Sequence, residues 1–357
     1  MRPFVSFFLI LASCAGGPAT APPRPLRDFR GIIHCHSLYS HDSKGTYDEI
    51  LAAAKAAKVD FVCMTDHPPK GDPGKSLREG WTGIHDGVLF IQGAEYSDQI
   101  LALGIKEPIQ HQDRRGKIRA IHEQGGVAIA CHPEEIQDWS EYEEADGMEI
   151  YNVHAALKKH QKDPAFMAAA LKTLKENPER SFELLHELDP AILAQWDEIN
   201  RKRPFTGIAG NDAHQNVNVF GLQLDPYPRA FRHVATHVWA EELTQESVLR
   251  ALREGRCYVE FMGAAGPSEE GRRQFRVGQS RRADGRSVLE VNHPVWDSVT
   301  YLKVCRNGLE IARGDGEGDF VTGRYALEGE GAYRVEWGQI PRPFLLSNHF
   351  RLSPERP

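Results

Sequence analysis

Between Arg30 and about Gly255 short apolar runs of strand length alternate with longer stretches of helical character, and nearly every run stops on a polar residue. The runs are Gly31–Ile33, Val59–Met64, Val88–Ile91, Val127–Cys131, Gly147–Ile150 and Phe205–Ala209, with a further one at Thr236–Trp239. Continuous apolar runs separated by helices are the pattern of a parallel α/β fold buried on both faces, and seven such strands suit a barrel. Helices are predicted over Thr46–Lys58, Arg114–Gln124 and Thr244–Glu254, the first opening on a capping box at Thr46 to Glu49. The polar, mostly helical stretch 155–203 reads as an insertion before the strand that ends at Gly210. After about Phe261 the pattern becomes alternating. Val299–Arg306, the turn Asn307–Gly308 and Leu309–Ala312 read as a hairpin, with more strands at Ala332–Trp337 and from Phe344. The expected organisation is therefore a barrel over 29–261 and a small all-β, sandwich-like domain over 262–357.

The first residues obey a different rule. Arg2 followed by the apolar run Phe4–Ala12 is too short to span a bilayer as a helix and fits an export signal. Its end, Leu11-Ala12-Ser13-Cys14, resembles a bacterial lipobox, so residues 1–14 are expected to be a lipoprotein signal, with Cys14 lipidated and facing the periplasm or cell exterior. Residues 15–28, rich in Gly, Pro and Ala at first, then form a tether. The other five cysteines are odd in number and lack a framework spacing, so no disulfide scaffold is expected. Cys35, Cys63 and Cys131 sit in apolar runs beside histidines, where a small buried thiol is the ordinary reading and ligation by sulfur the alternative. A net charge of −7 gives no global case for a nucleic-acid partner, and the arginines of 272–286 are assigned no function. Oligomeric state is not encoded in any pattern seen here.

The chemistry lies where the runs end. His34 and His36 are two apart on a strand, so they leave the same face, with Cys35 on the other. The second run ends in Thr65-Asp66-His67, the third leads to Glu95, the fourth ends in Cys131-His132-Pro133-Glu134, and the last in Gly210-Asn211-Asp212-Ala213-His214. Parallel strands in a barrel bring their C-terminal ends to one face, where barrel enzymes build their sites. Imidazoles and carboxylates gathered there are the ligand set of Zn, Mn or Fe.

His34-Cys-His36-Ser-Leu-Tyr-Ser-His-Asp42, Thr65-Asp-His67, the Glu95 run end, Cys131-His-Pro133 and Asn211-Asp-Ala-His214 resemble, in order, the motifs of the PHP (polymerase and histidinol phosphatase) superfamily over most of residues 30–215. The resemblance implies a distorted (β/α)7 barrel with two or three divalent ions. His34, His36, Glu95 and Asp212 would hold one, Glu95 would bridge to a second held by His132, and Asp42, His67 and His214 would hold a third. Where the family often has another histidine this chain has Gln99, which puts the second ion in question. His41 beside Asp42 could join the third ion, and Asp66 would orient an imidazole. The whole layout, with a β domain after the barrel, is most similar to the CehA/McbA branch.

These residues predict a metal-dependent hydrolase in which Glu95, His132 and Asp212 act through a metal-activated water on a small-molecule substrate. The first expectation is a phosphoesterase for a phosphomonoester or phosphodiester, with Lys70 or Arg78 and His154 as substrate contacts. The alternatives are a carbamate, ester or amide hydrolase, and a surface lipoprotein that binds through its β domain with an inactive barrel.

Overall fold

The computed structural model describes residues 25–69, 76–219, 222–261, 276–281, 287–294, 301–314, 320–327, 329–339 and 342–352. Cys14, the signal-like segment and Lys70 lie outside these residues. The chain begins with strands β1 (Arg27–Cys35), β2 (Phe61–Met64), β3 (Gly83–His85), β4 (Val88–Ile91), β5 (Gly93–Tyr96), β6 (Ile100–Leu103), β7 (Val127–Ala130), β8 (Gly147–Asn152) and β9 (Thr206–Ala213). β1 runs parallel to β2 and β9, β2 to β4, β7 to β8, and β8 to β9. β5 continues β4 after Gln92 and pairs antiparallel with β6, which pairs antiparallel with β7. Followed round, the pairing β1-β2-β4/β5-β6-β7-β8-β9 returns to β1. The result is a closed ring of seven strand positions, parallel except at β6.

One strand of that ring is not the one the apolar pattern predicts. Thr236–Trp239 does form a strand, β12 (Val234–Ala240), but it lies outside the ring, antiparallel to Arg27–Gly31 of β1. β1 is long enough to serve two neighbours on that side: its first half takes β12, and Ile33 and Cys35 take β9. The seventh position is β6, which follows β5 after a three-residue turn and so hides in the sequence as part of one long run.

Helices α1 (Tyr47–Ala56), α2 (Arg114–Glu123), α3 (Val153–His160), α4 (Pro164–Glu176), α5 (Pro190–Lys202), α6 (Tyr227–His233) and α7 (Gln245–Arg253) complete this part. Thr46 accepts from the Glu49 amide and Glu49 answers the Thr46 amide, the capping box that the sequence predicts. Two apolar layers follow from strand alternation. Ile33, Cys63, Ile91, Leu101, Ile129, Cys131 and Ile208 fill the ring from inside, and Val248, Leu249 and Leu252 of α7 join the same cluster. Ile32, Val62, Ala94, Ala128, Met148 and Ala209 face outward into a second cluster with Ile50 of α1, Ile118 of α2 and Trp196 of α5.

The remaining strands are β10 (Asn218–Val219) and β11 (Leu222–Gln223), a small ladder, then β13 (Cys257–Phe261), β14 (Arg276–Arg281), β15 (Ser287–Pro294), β16 (Tyr301–Arg306), β17 (Leu309–Gly314), β18 (Phe320–Ala326), β19 (Gly331–Gln339), β20 (Arg342–Ser347) and β21 (Phe350–Leu352). They form two antiparallel sheets. One, in the order β17-β16-β19-β20-β13, continues through β12 into β1, so the sandwich is hydrogen-bonded to the barrel. The other is β14-β15-β18. Val277, Leu289 and Val291 of the smaller sheet pack on Val304, Tyr333, Val335 and Trp337 of the larger. Asn307 and Gly308, both with positive φ, make the predicted two-residue turn between β16 and β17. Arg334 of β19 reaches across to α5, where it grips both oxygens of Asp197 at 2.9 and 3.0 Å while His349 holds one of them at 2.7 Å.

Candidate metal centre

The C-terminal ends of the ring strands converge as expected, but ordinary alternation does not aim all the ligands inward. Ile33 faces the ring interior and Cys35 the outer layer. Plain alternation would put them on one face and send His34 outward. His34 instead adopts φ 67°, with a register shift between Ile33 and Cys35, and this turns His34 and His36 together into the interior. His132 (φ 48°) uses the same device after β7, whereas Asp212 (φ 48°) already lies on the inward face that Ile208 sets in β9. Left-handed conformations in non-glycine residues cost about 1–3 kcal/mol each and concentrate where function demands them.

Among the described residues, donor atoms fall into three overlapping groups: His34, His36, Glu95 and Asp212; Glu95, Cys131 and His132; and His36, Asp42, His67 and His214. Glu95 Oε2 lies 3.0 Å from His34 Nε2, 3.2 Å from His36 Nε2 and 3.5 Å from His67 Nε2, and its Oε1 lies 3.2 Å from His132 Nε2. Asp42 Oδ2 stands 3.4 Å from Nε2 of both His67 and His214. His36 Nε2, Asp42 Oδ1 and Asp212 Oδ1 are buried without a hydrogen-bond partner. Buried atoms of this kind are costly unless something pairs with them. Separations of 3.0 to 3.5 Å also match those between ligands of a tetrahedral ion, about 3.3 Å for nitrogen and oxygen donors at Zn distances.

The imidazoles are also tied from behind. His34 Nδ1 donates to Glu149 Oε1 at 2.6 Å, His214 Nδ1 to the Asp212 carbonyl at 2.8 Å and His67 Nδ1 to the Glu95 carbonyl at 3.4 Å, while His132 Nδ1 faces Glu134 at 3.4 Å. Ser40 Oγ donates to Asp66 at 3.0 Å, so toward His36 Nδ1, at 2.9 Å, it accepts. All five rings thus present Nε2 to the cluster. Metal-binding histidines are held in this way, with the second nitrogen fixing tautomer and direction.

Burial opposes charge here, and the carboxylates prevail. Burial lowers the His34 pKa, but Asp212, Glu95 and Glu149 outweigh it and hold it well above the ordinary value. Burial is likewise overridden at His132, which Glu134 and Glu95 push up to about 12, and at His214, which Asp42 and Asp212 push up to about 9. Burial would raise Glu95 and Asp212, yet His34 above all keeps both well below the carboxylate range. The pocket is therefore a set of anions that hold cations, and a divalent ion would take the place of protons that leave on binding.

The sequence-predicted residues divide as follows. His34, His36, Asp42, His67, Glu95, His132, Asp212 and His214 come together. His154, at the start of α3, places its ring 5.3 Å from that of His214, and burial lowers its pKa, so it is a neutral imidazole at the cluster's edge. Asp66 stands outside the three donor groups; it receives the Ser37 amide and the Ser37 and Ser40 hydroxyls, and so orients His36 through Ser40. His41 is largely exposed, its Nε2 3.9 Å from Asp42. Gln99 is turned away, accepting from Arg114 at 3.1 Å and donating to the Ser97 carbonyl. Arg78 stacks 3.3 Å over the Tyr39 ring and lines a flank groove with Leu77, Gln92 and Ile105. Glu149, absent from the sequence-based set, is fully buried and also accepts from the His132 amide and Asn152, both at 3.0 Å. A Cβ at Gly210 would fall 1.9 Å from Glu149 Oε1, so the glycine makes its space. A lone acidic residue inside an apolar run, Gly147-Met-Glu-Ile150, was the available signal.

No family model and no curated protein matches the chain. Among solved structures it is similar to a two-domain protein from Bacteroides vulgatus containing a predicted PHP-like metal-dependent phosphoesterase. The likeness has 17% identity and a TM-score of 0.47, and covers 93% of this chain and 97% of that one.

Proposed function

We propose that the chain is a metal-dependent hydrolase of the PHP type that cleaves small phosphate esters. The observation that carries this reading is the set of five imidazoles, each fastened at Nδ1 and presenting Nε2 to the carboxylates of Glu95, Asp212 and Asp42. Bound divalent ions would supply an activated water and polarise the oxygen of the bond it attacks. The chain's own side chains do the rest. Glu95 faces all three donor groups with its two oxygens and couples them. Asp66 and Glu149 hold ligand orientation from behind. Neutral His154 can exchange a hydrogen bond with a substrate at the mouth. A cleft of about 170 Å³ lined by Pro133, Asn152, Ala155, Lys159, Leu185 and Ile192 adjoins His132 and would take the organic group.

Charge balance links the ion count to the substrate. A third divalent ion makes the pocket more positive, which suits a phosphate; two ions leave the carboxylates of Glu95, Asp212 and Asp42 more nearly balanced. Arg78, engaged by Tyr39, favours a second reading in which a carbamate, ester or amide is cleaved in such a balanced pocket. Purified protein loaded with Mn or Zn should turn over chromogenic phosphomonoesters or phosphodiesters. Turnover of carboxylesters or carbamates alone would transfer the assignment to the second reading, and a fully loaded protein without turnover would leave only a binding role. Export and anchoring through lipidated Cys14 belong to the same proposal, and mass analysis of the membrane-extracted N-terminus tests them.

A further inference from the structure

We infer that Cys131 is a metal ligand, its thiolate completing with Glu95 and His132 a second ion position that contains sulfur. The inference rests on reading the cluster as a metal centre and adds a donor of a different chemical kind to it.

The thiol is fully buried at the top of the ring interior, above Ile129, with Sγ 3.7 Å from Glu95 Oε1. His132 Nε2 lies 3.2 Å from that same oxygen, and the three donor atoms are all within 4.8 Å of one another. A tetrahedral ion with bonds of about 2.3 Å to sulfur and about 2.0 Å to nitrogen or oxygen sets its ligands about 3.5 Å apart for S and O and about 3.3 Å for N and O. The observed separations are within a few tenths of an ångström of both.

Backbone conformation gives an independent reason. Successive residues of a strand point to opposite faces, so Cys131 and His132 should not share a partner. They do so only because His132 takes φ 48°, ψ 55°, a conformation that L residues avoid. His132 is not itself bonded as a cap, so that conformation serves to bring its ring over the same carboxylate oxygen that the thiol faces.

Donor count points the same way. Gln99, which the family resemblance places at this ion, is spent on Arg114 and the Ser97 carbonyl. Without Cys131 the second position would have one imidazole, His132, and two carboxylates shared with the first ion, Glu95 Oε1 at 3.2 Å and Asp212 Oδ2 at 3.5 Å from His132 Nε2. With it, the position gains a donor that neither of the other two donor groups shares. Cys35 and Cys63, by contrast, belong to no donor group among the described residues. On coordination the thiol proton goes to solvent and the sulfur keeps its electron pair. A sulfur, nitrogen and oxygen set suits Zn or Fe(II) better than Mn, so this position should load selectively.

The test is Co(II) titration of chelator-stripped full chain, followed by absorption and by metal analysis. The expected result is a near-ultraviolet sulfur-to-cobalt charge-transfer band whose final intensity corresponds to one sulfur-bound cobalt per chain, beside the visible bands of the imidazole-bound ions. In Cys131→Ser the band should vanish, and the second equivalent should bind at least about tenfold more weakly, since losing even an outer-sphere partner costs that much. Zn loading of the unaltered chain with X-ray absorption gives the same answer without a variant, as a single sulfur at about 2.3 Å. Cobalt bound to the imidazoles with no charge-transfer band, or a band that survives in Cys131→Ser, overturns the assignment of Cys131 and leaves the metal centre standing. A chain that binds no cobalt overturns both.

Discussion

Glu149 shows at the residue scale how much of this site lies behind its ligands. Its carboxylate holds His34 through Nδ1 and His132 through the backbone amide, and so joins two of the donor groups. Glu149→Gln keeps the shape and loses the charge; metal affinity should fall about 10- to 100-fold with circular dichroism unchanged. An unaltered dissociation constant would mean that His34 needs no partner. His34→Ala or Asp212→Ala removes a proposed ligand outright. Each should lower kcat/KM at least a hundredfold, on the order of an outer-sphere loss or more, while other donors keep the chain folded. Steady-state kinetics after full metal loading decide it, and near-native turnover in either variant would sink the site assignment. These candidate ligands were legible in the sequence because histidines and carboxylates so rarely terminate apolar runs together. Glu149 was not, because a single buried acid has no pattern.

Elements of secondary structure were legible to different degrees for equally physical reasons. α1 announced itself by its capping box, and the β16–β17 hairpin by Asn307–Gly308, since both signals are local. Thr46→Ala should cost about 1 kcal/mol, read as a lower denaturation midpoint at constant slope, because it frees an amide that the side chain now satisfies. Metal binding should be unaffected, as α1 carries no ligand; a concurrent loss of affinity would show that the loop before it depends on the cap. The β5–β6 hairpin was missed because its turn is too short to interrupt the run, and it displaced Thr236–Trp239 from the ring. Bulges and positive φ at His34, His132 and Asp212 were equally hidden, since nothing in a histidine or an aspartate advertises a left-handed backbone.

For the molecule as a whole, the barrel and the sandwich are tied by a continuous sheet and by a buried charge network. Asp197 on α5 is clamped by Arg334 and His349, and Arg334 also meets Glu336. Burial would raise the Asp197 pKa, but His349 and Arg334 bring it from 3.8 down to about 2. A carboxyl whose folded pKa is depressed stabilises the fold above its unfolded value and loses that contribution as pH falls. The network should therefore stabilise the protein by on the order of 2 kcal/mol above about pH 4, lost as pH falls through about 2. Acid titration of the unfolding midpoint checks it, and Asp197→Asn should flatten the curve over that window. Arg334→Met leaves Asp197 buried with one partner fewer and should cost about 3–5 kcal/mol. A smaller loss would mean that His349 alone suffices.

The sequence by itself determined which residues could do chemistry here, the parallel α/β order of most strands and the change to an antiparallel region after them, because those follow from residue type and local periodicity. Tertiary structure decided the rest. Barrel closure through β6, the inward turn of His34 and His132, the retreat of Gln99 to Arg114 and the meeting of Cys131 with Glu95 depend on pairings between segments far apart in the chain. Those pairings are settled only when the ring closes and each buried polar atom must find a partner.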